Sequence, residues 1–135
     1  MSFHILEHTA DIKIRFYGNN KEELINSFIE AWVSFTGLKY IDEKSDNCQF
    51  IIPESDPVEF LYLFAGRLIF LLEAENFQTE KMISWESDNK SMASITVAGH
   101  RFSKIMGYRN IPKAPTYHEI EFSGSNGYGQ IIFDL

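Results

Sequence analysis

Ligand-type side chains gather at the two extremities of this 135-residue sequence. Near the start stands Glu7-His8-Thr9-Ala10-Asp11, and near the finish stand Lys113-Ala114-Pro115-Thr116-Tyr117-His118 and then Phe133-Asp134-Leu135. The middle carries no comparable cluster. The run Ile131-Ile132-Phe133-Asp134 reads as a core strand, which would hold the Leu135 α-carboxylate as a fixed anion beside Asp134. Should Asp11 face them, three carboxylates converge. Uncompensated, they repel one another, and a cation relieves the conflict. Oxygen-only donors favour a hard ion, Ca²⁺ or Mg²⁺, with Mn²⁺ also acceptable. Adding His8 or His118 would shift the preference toward Zn²⁺. The same residues have structural readings: Asp11 can cap the turn after Thr9-Ala10, and Asp134 can pair with Lys113.

Other chemistry is sparser. His8 beside Thr9 could move a proton, since imidazole titrates near neutrality, although a lone histidine is more often structural. The same holds for His4 and His100. Strand alternation places His118 on one face with Thr116 and Ile120, either packed or projecting from an edge toward Asp11. Lys113 could meet a phosphate or a partner carboxylate. Nucleophilic catalysis finds no support, because there is no Gly-x-Ser-x-Gly elbow and no recognisable Cys-His spacing. No Gly-x-Gly-x-x-Gly or P-loop occurs either. Gly124-Ser125-Asn126-Gly127-Tyr128-Gly129 is glycine-rich, but no helix follows it, so a hairpin turn accounts for it better than a phosphate cradle.

Composition bounds what can hold these groups in place. The length fits one domain over residues 1–135. Surface scaling gives roughly 7,000 Å² folded against roughly 23,000 Å² unfolded, so a core forms without staples. The supply is 44% apolar, including 12 Phe, 6 Tyr and 2 Trp. The single cysteine, Cys48, allows neither an intramolecular disulfide nor a Cys-based metal motif. No stretch is long enough and apolar enough for a membrane helix, and the polar N-terminus is no signal peptide, so the cytoplasm is the expected location. The net charge is −7, with no Lys/Arg cluster. That argues against tight autonomous nucleic-acid binding and suits a basic partner protein or a bound cation.

The elements follow from pattern. Phe3–Leu6 is a short strand. Ile12, Ile14 and Phe16 alternate with Lys13, Arg15 and Tyr17 in a half-buried one. Asn20 caps a helix, with Glu23 as its capping-box partner, and Gly37 closes it. Its apolar stripe is Leu24, Phe28, Ala31, Trp32 and Phe35. Residues 38–47 read as a polar loop and Cys48–Ile52 as a strand. Asp56 and Pro57 then start a helix running to about Asn76 that is apolar on most sides, and is therefore central. Thr79–Glu86 pairs with Ala93–Ala98; 99–113 reads as irregular; Thr116–Phe122 and the strand from Gln130 form a last hairpin. The order is α+β, without a regular βαβ repeat.

Taken together, His8-Thr9-Ala10-Asp11, Lys113-Ala114-Pro115-Thr116-Tyr117-His118 and Phe133-Asp134-Leu135 resemble the archease family. Gly18 before a Glu-rich helix start and Leu68-Ile69-Phe70-Leu71-Leu72-Glu73 agree with it, and the resemblance spans the chain end to end. It implies an archease-like α+β fold, with mostly antiparallel sheets packed on two main helices. It implies a non-enzymatic accessory protein of the RtcB-type RNA ligase in tRNA splicing and RNA repair. Such proteins promote guanylylation of the ligase histidine, permit multiple turnover and broaden nucleotide use, with RNA contacted mainly through the partner. Some members are chaperone-like modulators of a tRNA cytosine-5 methyltransferase, which is the second reading. A small metal-dependent hydrolase using His8 and Asp11 is the third. The family's divalent metal site, carried across, names Asp11, Asp134 and the Leu135 carboxylate, with Ca²⁺ favoured and His8, Lys113 and His118 as neighbours. The family usually has a β-branched residue where this chain has Pro115. Proline there removes an N–H and restricts Ala114, so a bulge or strand start is expected, with the site preserved. The last residue of the family is often Ile; Leu135 keeps the carboxylate.

Overall fold

The computed structural model describes residues 2–7, 11–123 and 125–135, with Glu7 by its backbone alone. In chain order the elements are β1 (Ser2–Glu7), β2 (Asp11–Tyr17), α1 (Lys21–Thr36), β3 (Lys39–Ile41), β4 (Lys44–Pro53), α2 (Pro57–Glu75), β5 (Phe77–Ser87), β6 (Met92–Arg101), β7 (Lys104–Gly107), β8 (Ala114–Ser123) and β9 (Tyr128–Asp134). All strand pairs are antiparallel, in a four-stranded sheet β1-β2-β9-β8, a three-stranded sheet β4-β6-β5 and a small β3-β7 pair. The fold is α+β.

Both helices lie between the two larger sheets. The first, α1, packs on β1 and β2 on one side and β5 on the other; α2 packs on β8 and on β4 and β5. This explains why α2 carries apolar side chains nearly all round: a helix covered on two sides has no broad solvent face. An aromatic file crosses the layers. Phe133 of β9 stacks on Phe28 of α1 at 6.2 Å, Phe28 meets Phe64 of α2 at 6.1 Å, and Phe64 meets Phe50 of β4 at 5.9 Å. Such offset and tilted pairs add to burial through ring quadrupoles.

The helix ends follow the capping residues. The Asn20 side chain accepts from the Glu23 N–H at 2.9 Å, and its own amide donates to the Glu23 carboxylate at 3.1 Å. Asp56 accepts from Val58 and Glu59, ahead of Pro57 at the first turn. Gly37 and Asn76 close the two helices in the left-handed region, at φ 53° and 51°. One buried polar chain ties α1 to β5: the Trp32 indole donates to Gln78 Oε1 at 2.8 Å, and Gln78 Nε2 donates to Thr36 Oγ1 at 3.0 Å.

Two segments differ from the sequence reading. Residues 38–47 are not a loop but hold β3 and the first four residues of β4; within 99–113, β6 continues to Arg101 and β7 follows. Lys44, Ser45, Asp46 and Asn47 are all exposed, so no apolar alternation marks them. Their strand geometry comes from pairing with β6, Lys44 opposite Arg101 and Asn47 opposite Ala98. No helix among the described residues is long and apolar enough to cross a membrane.

Candidate metal centre

Strand β9 runs between β2 and β8. Ile12, Ile14, Phe16, Ile131 and Phe133 are buried, which fixes the core face of this sheet. Alternation then sends Asp11, Lys13 and Arg15 to the opposite, outer face together with Gln130, Ile132 and Asp134. The register sets Asp11 directly across from Asp134, and Ala114 of β8 across from Asp134 on its other side. Side chains of directly opposed residues are neighbours on one face, so two carboxylates from the two ends of the sequence meet there. Like charges so placed destabilise the pair unless something positive intervenes.

No described cation does so. Lys13, one step along the same face, is held by Glu119 at 3.3 Å. The described ion pairs include none to Asp11 or Asp134. Lys113 does not neutralise Asp134 either; its backbone N–H donates to the Asp134 carbonyl at 2.8 Å. Asp11 Oδ1 is buried without a hydrogen-bond partner among the described residues. A buried carboxylate oxygen left in that state is costly, and it is the kind of atom a bound cation satisfies. Asp134 itself is exposed, and Leu135 packs its side chain against the core edge, which anchors the backbone beside it. Oxygen donors of this kind suit a hard divalent ion. Among the described residues, no three His, Cys, Asp or Glu side chains gather into a metal cluster, so any site here rests on the two aspartates and main-chain oxygen.

The remaining sequence candidates fall differently. His8, with Thr9 and Ala10, lies outside the described residues. Tyr117 stacks on Tyr62 of α2 at 3.8 Å, so His118 stays with Thr116 on the outer face, but Ile120, which packs against the core, does not share that face. Between Thr116 and Glu121 the β8 register shifts: Thr116 pairs with Ile132 and Glu121 with Gln130, so five steps on β8 span two on β9. The extra residues form a bulge in which Glu119 adopts φ 53°. His118 is left with a side chain 77% exposed, 3.3 Å from Glu119. Pro115 is the second residue of β8, an edge strand, where a missing N–H is tolerated. The sequence reading missed Glu119, which bonds Lys13 and His118 and accepts from Gln130 Nε2 at 2.7 Å through its carbonyl. It also missed Thr116, whose buried Oγ1 has no described partner on the outer face. Unbroken alternation from Thr116 to Phe122 gave no signal for the bulge.

The profile of the archease protein family (MTH1598/TM1083) matches residues 3–135. The chain belongs to the archease family. Curated archease relatives agree. The protein archease of Thermoplasma volcanium is 27% identical over 136 residues, covering 100% of both chains. That of Archaeoglobus fulgidus is 31% identical over 125 residues, covering 88% of this chain and 87% of the relative. The solution structure of Methanobacterium thermoautotrophicum protein 1598 superposes with a TM-score of 0.63 over 98% of each chain at 21% identity, which shows a shared fold. Archeases are non-catalytic proteins whose general role is activation of RtcB-type RNA ligases. The matched span runs from β1 through β9 and so includes both aspartates of the outer-face pair.

Proposed function

We propose that this archease promotes guanylylation of the active-site histidine of an RtcB-type RNA ligase and its multiple turnover, using a divalent ion, Ca²⁺ by preference, at Asp11, Asp134 and the Leu135 carboxylate. The reading is supported above all by one observation: Asp11 and Asp134 face each other in register, with Asp11 Oδ1 buried and unpartnered. Mg²⁺ or Mn²⁺ would satisfy the same oxygens less selectively. When bound, the ion would neutralise the pair and offer free coordination positions to a phosphate oxygen. The chain's own residues do the rest. Asp11 is set by the β2–β9 ladder, Asp134 is held from both sides by β2 and the Lys113 N–H, and the −7 net charge favours approach to a basic partner surface. The ligase carries out the covalent chemistry.

The test is ligase turnover with GTP, with and without this protein, following label on the ligase histidine. Asp11→Ala and Asp134→Ala are expected to lower guanylylation while the thermal transition of this domain stays cooperative. Residues appended after Leu135 are expected to act the same way by moving the carboxylate. Full activation by both alanine variants would exclude the metal corner. Activation absent even with the wild-type chain, alongside binding to a tRNA cytosine-5 methyltransferase, would transfer the role to that partner.

A further inference from the structure

One stripe of α2 is left partly uncovered by the two larger sheets. It runs Tyr62, Gly66, Phe70, at the four-residue spacing that aligns positions along a helix, with Leu63 and Arg67 beside it. Together with Pro115 of β8 these residues line an open groove of about 340 Å³. Its two ends are aromatic. Tyr62 stacks on Tyr117 of β8 at 3.8 Å, and Tyr117 remains 55% exposed; Phe70, at the other end, is 44% exposed.

Gly66 forms a notch between them. A Cβ built on it would meet nothing within 4 Å, so no neighbour in this chain requires a glycine there. Glycine in a helix interior weakens the helix relative to alanine. A close approach from outside gives the residue a role that the fold does not. Arg67 points to the character of what approaches. It is the only charged residue from Phe60 to Leu72. Its guanidinium lies 5.6 Å from the Phe50 ring and 6.0 Å from that of Phe70, and the described ion pairs include none to it. An exposed cation on an aromatic rim, without a carboxylate of its own, favours a partner that brings one. The groove also adjoins the aspartate corner. Pro115 follows Ala114, which pairs with Asp134, so the groove's edge lies one strand and one residue away, within roughly 10 Å.

We propose that this groove receives the RtcB-type ligase, through a segment that sets an apolar side chain into the notch over Gly66 and a carboxylate on Arg67. The inference rests on the ligase being the partner. A protein engaged at the aspartate corner already lies beside the groove. A second copy of this chain fits poorly, because a two-fold contact across Gly66 would bring both Arg67 side chains next to the axis.

The test is titration calorimetry of the full chain with a purified RtcB-type ligase, together with sedimentation of the full chain alone. Gly66→Leu fills the notch and removes a helix glycine, so it should melt no lower than wild type yet bind the ligase roughly ten- to a hundredfold more weakly. Arg67→Glu should weaken binding by a similar factor, and its difference from wild type should shrink as salt is raised. Met106→Ser, at an exposed apolar residue of β7, should bind as wild type does. Since the groove holds the partner and not the ion, both groove variants should recover full guanylylation at saturating concentration, where Asp11→Ala does not. Wild-type affinity in both groove variants would overturn the groove and leave the metal corner standing. No binding by the wild-type chain would overturn both. Self-association of the wild type that Gly66→Leu abolishes would assign the groove to a second copy and overturn the proposal as well.

Discussion

Replacing Asp11 by Asn separates a metal site from a structural carboxylate by the sign of the change in stability. In the absence of divalent ions, Asp11 opposes Asp134 across the β2–β9 ladder with one oxygen buried and unpartnered. Asn has the same shape, removes the charge and supplies an N–H that can donate to Asp134. Relieving an unsatisfied buried group is worth about 1–3 kcal/mol, and the partial exposure of the residue places the gain at about 1–2 kcal/mol. With about 2.1 cal/mol/K of unfolding entropy per residue, 135 residues give about 280 cal/mol/K, so each 1 kcal/mol moves the midpoint by about 3.5 °C. The chelated variant should therefore melt about 4–7 °C above chelated wild type. With Ca²⁺ at a hundred times its dissociation constant, the wild type gains about 2.7 kcal/mol, or about 9 °C, and overtakes the variant, which gains little. Thermal unfolding by circular dichroism, with EDTA and then with excess Ca²⁺, reads both halves. A variant less stable than wild type in EDTA, or one stabilised by Ca²⁺ as much as wild type, would refute the reasoning.

Gln78→Leu should cost about 1–3 kcal/mol, or about 4–11 °C, because it strands the buried Trp32 indole, while the Thr36 hydroxyl keeps its bond to the Trp32 carbonyl; calorimetry of the variant checks this. Gly99→Ala should cost about 1–3 kcal/mol in urea unfolding, since a Cβ there would stand 1.9 Å from the Gln78 carbonyl oxygen on the neighbouring strand. Partial burial, and then the neighbouring charges of Glu80 and Glu43, push the Tyr40 phenol up to about 12 from 10.0. Its neutral form is favoured in the fold, so its contribution to stability is whole below about pH 10 and is lost as the pH rises toward about 12. Ultraviolet titration should show the late phenolate, and Tyr40→Phe should flatten that arm of the stability profile.

Both helices could be read from the sequence because their ends carry side chains that do local work. Asn20 with Glu23, and Asp56 ahead of Pro57, satisfy helix-terminal N–H groups whatever the tertiary surroundings. The strand at Ile12–Phe16 was visible because one face of it is buried, and that at Ile131–Phe133 because it is an apolar run, buried throughout. Lys44–Asn47 and Lys104–Gly107 were not, since their strand geometry comes from partners far along the chain rather than from their own pattern. The site divides the same way. Residue type alone singled out Asp11 and Asp134, but their meeting depends on the register between β2 and β9, which no spacing encodes. Ile120 was wrongly grouped with Thr116 and His118 because alternation assumes an unbroken strand, and the bulge around Glu119 turns Ile120 to the core.

The interior position of β9 bears on how the protein is made. During synthesis β2 emerges well before its neighbour on one side, Tyr128 to Asp134, which follows 117 residues later. At about 5–20 residues per second, roughly 6–23 s separate the two. For that interval Ile12, Ile14 and Phe16 belong to a half-built sheet with a bare edge, a form prone to pair with other nascent chains. The sheet that brings the two aspartates together is thus completed in one late step.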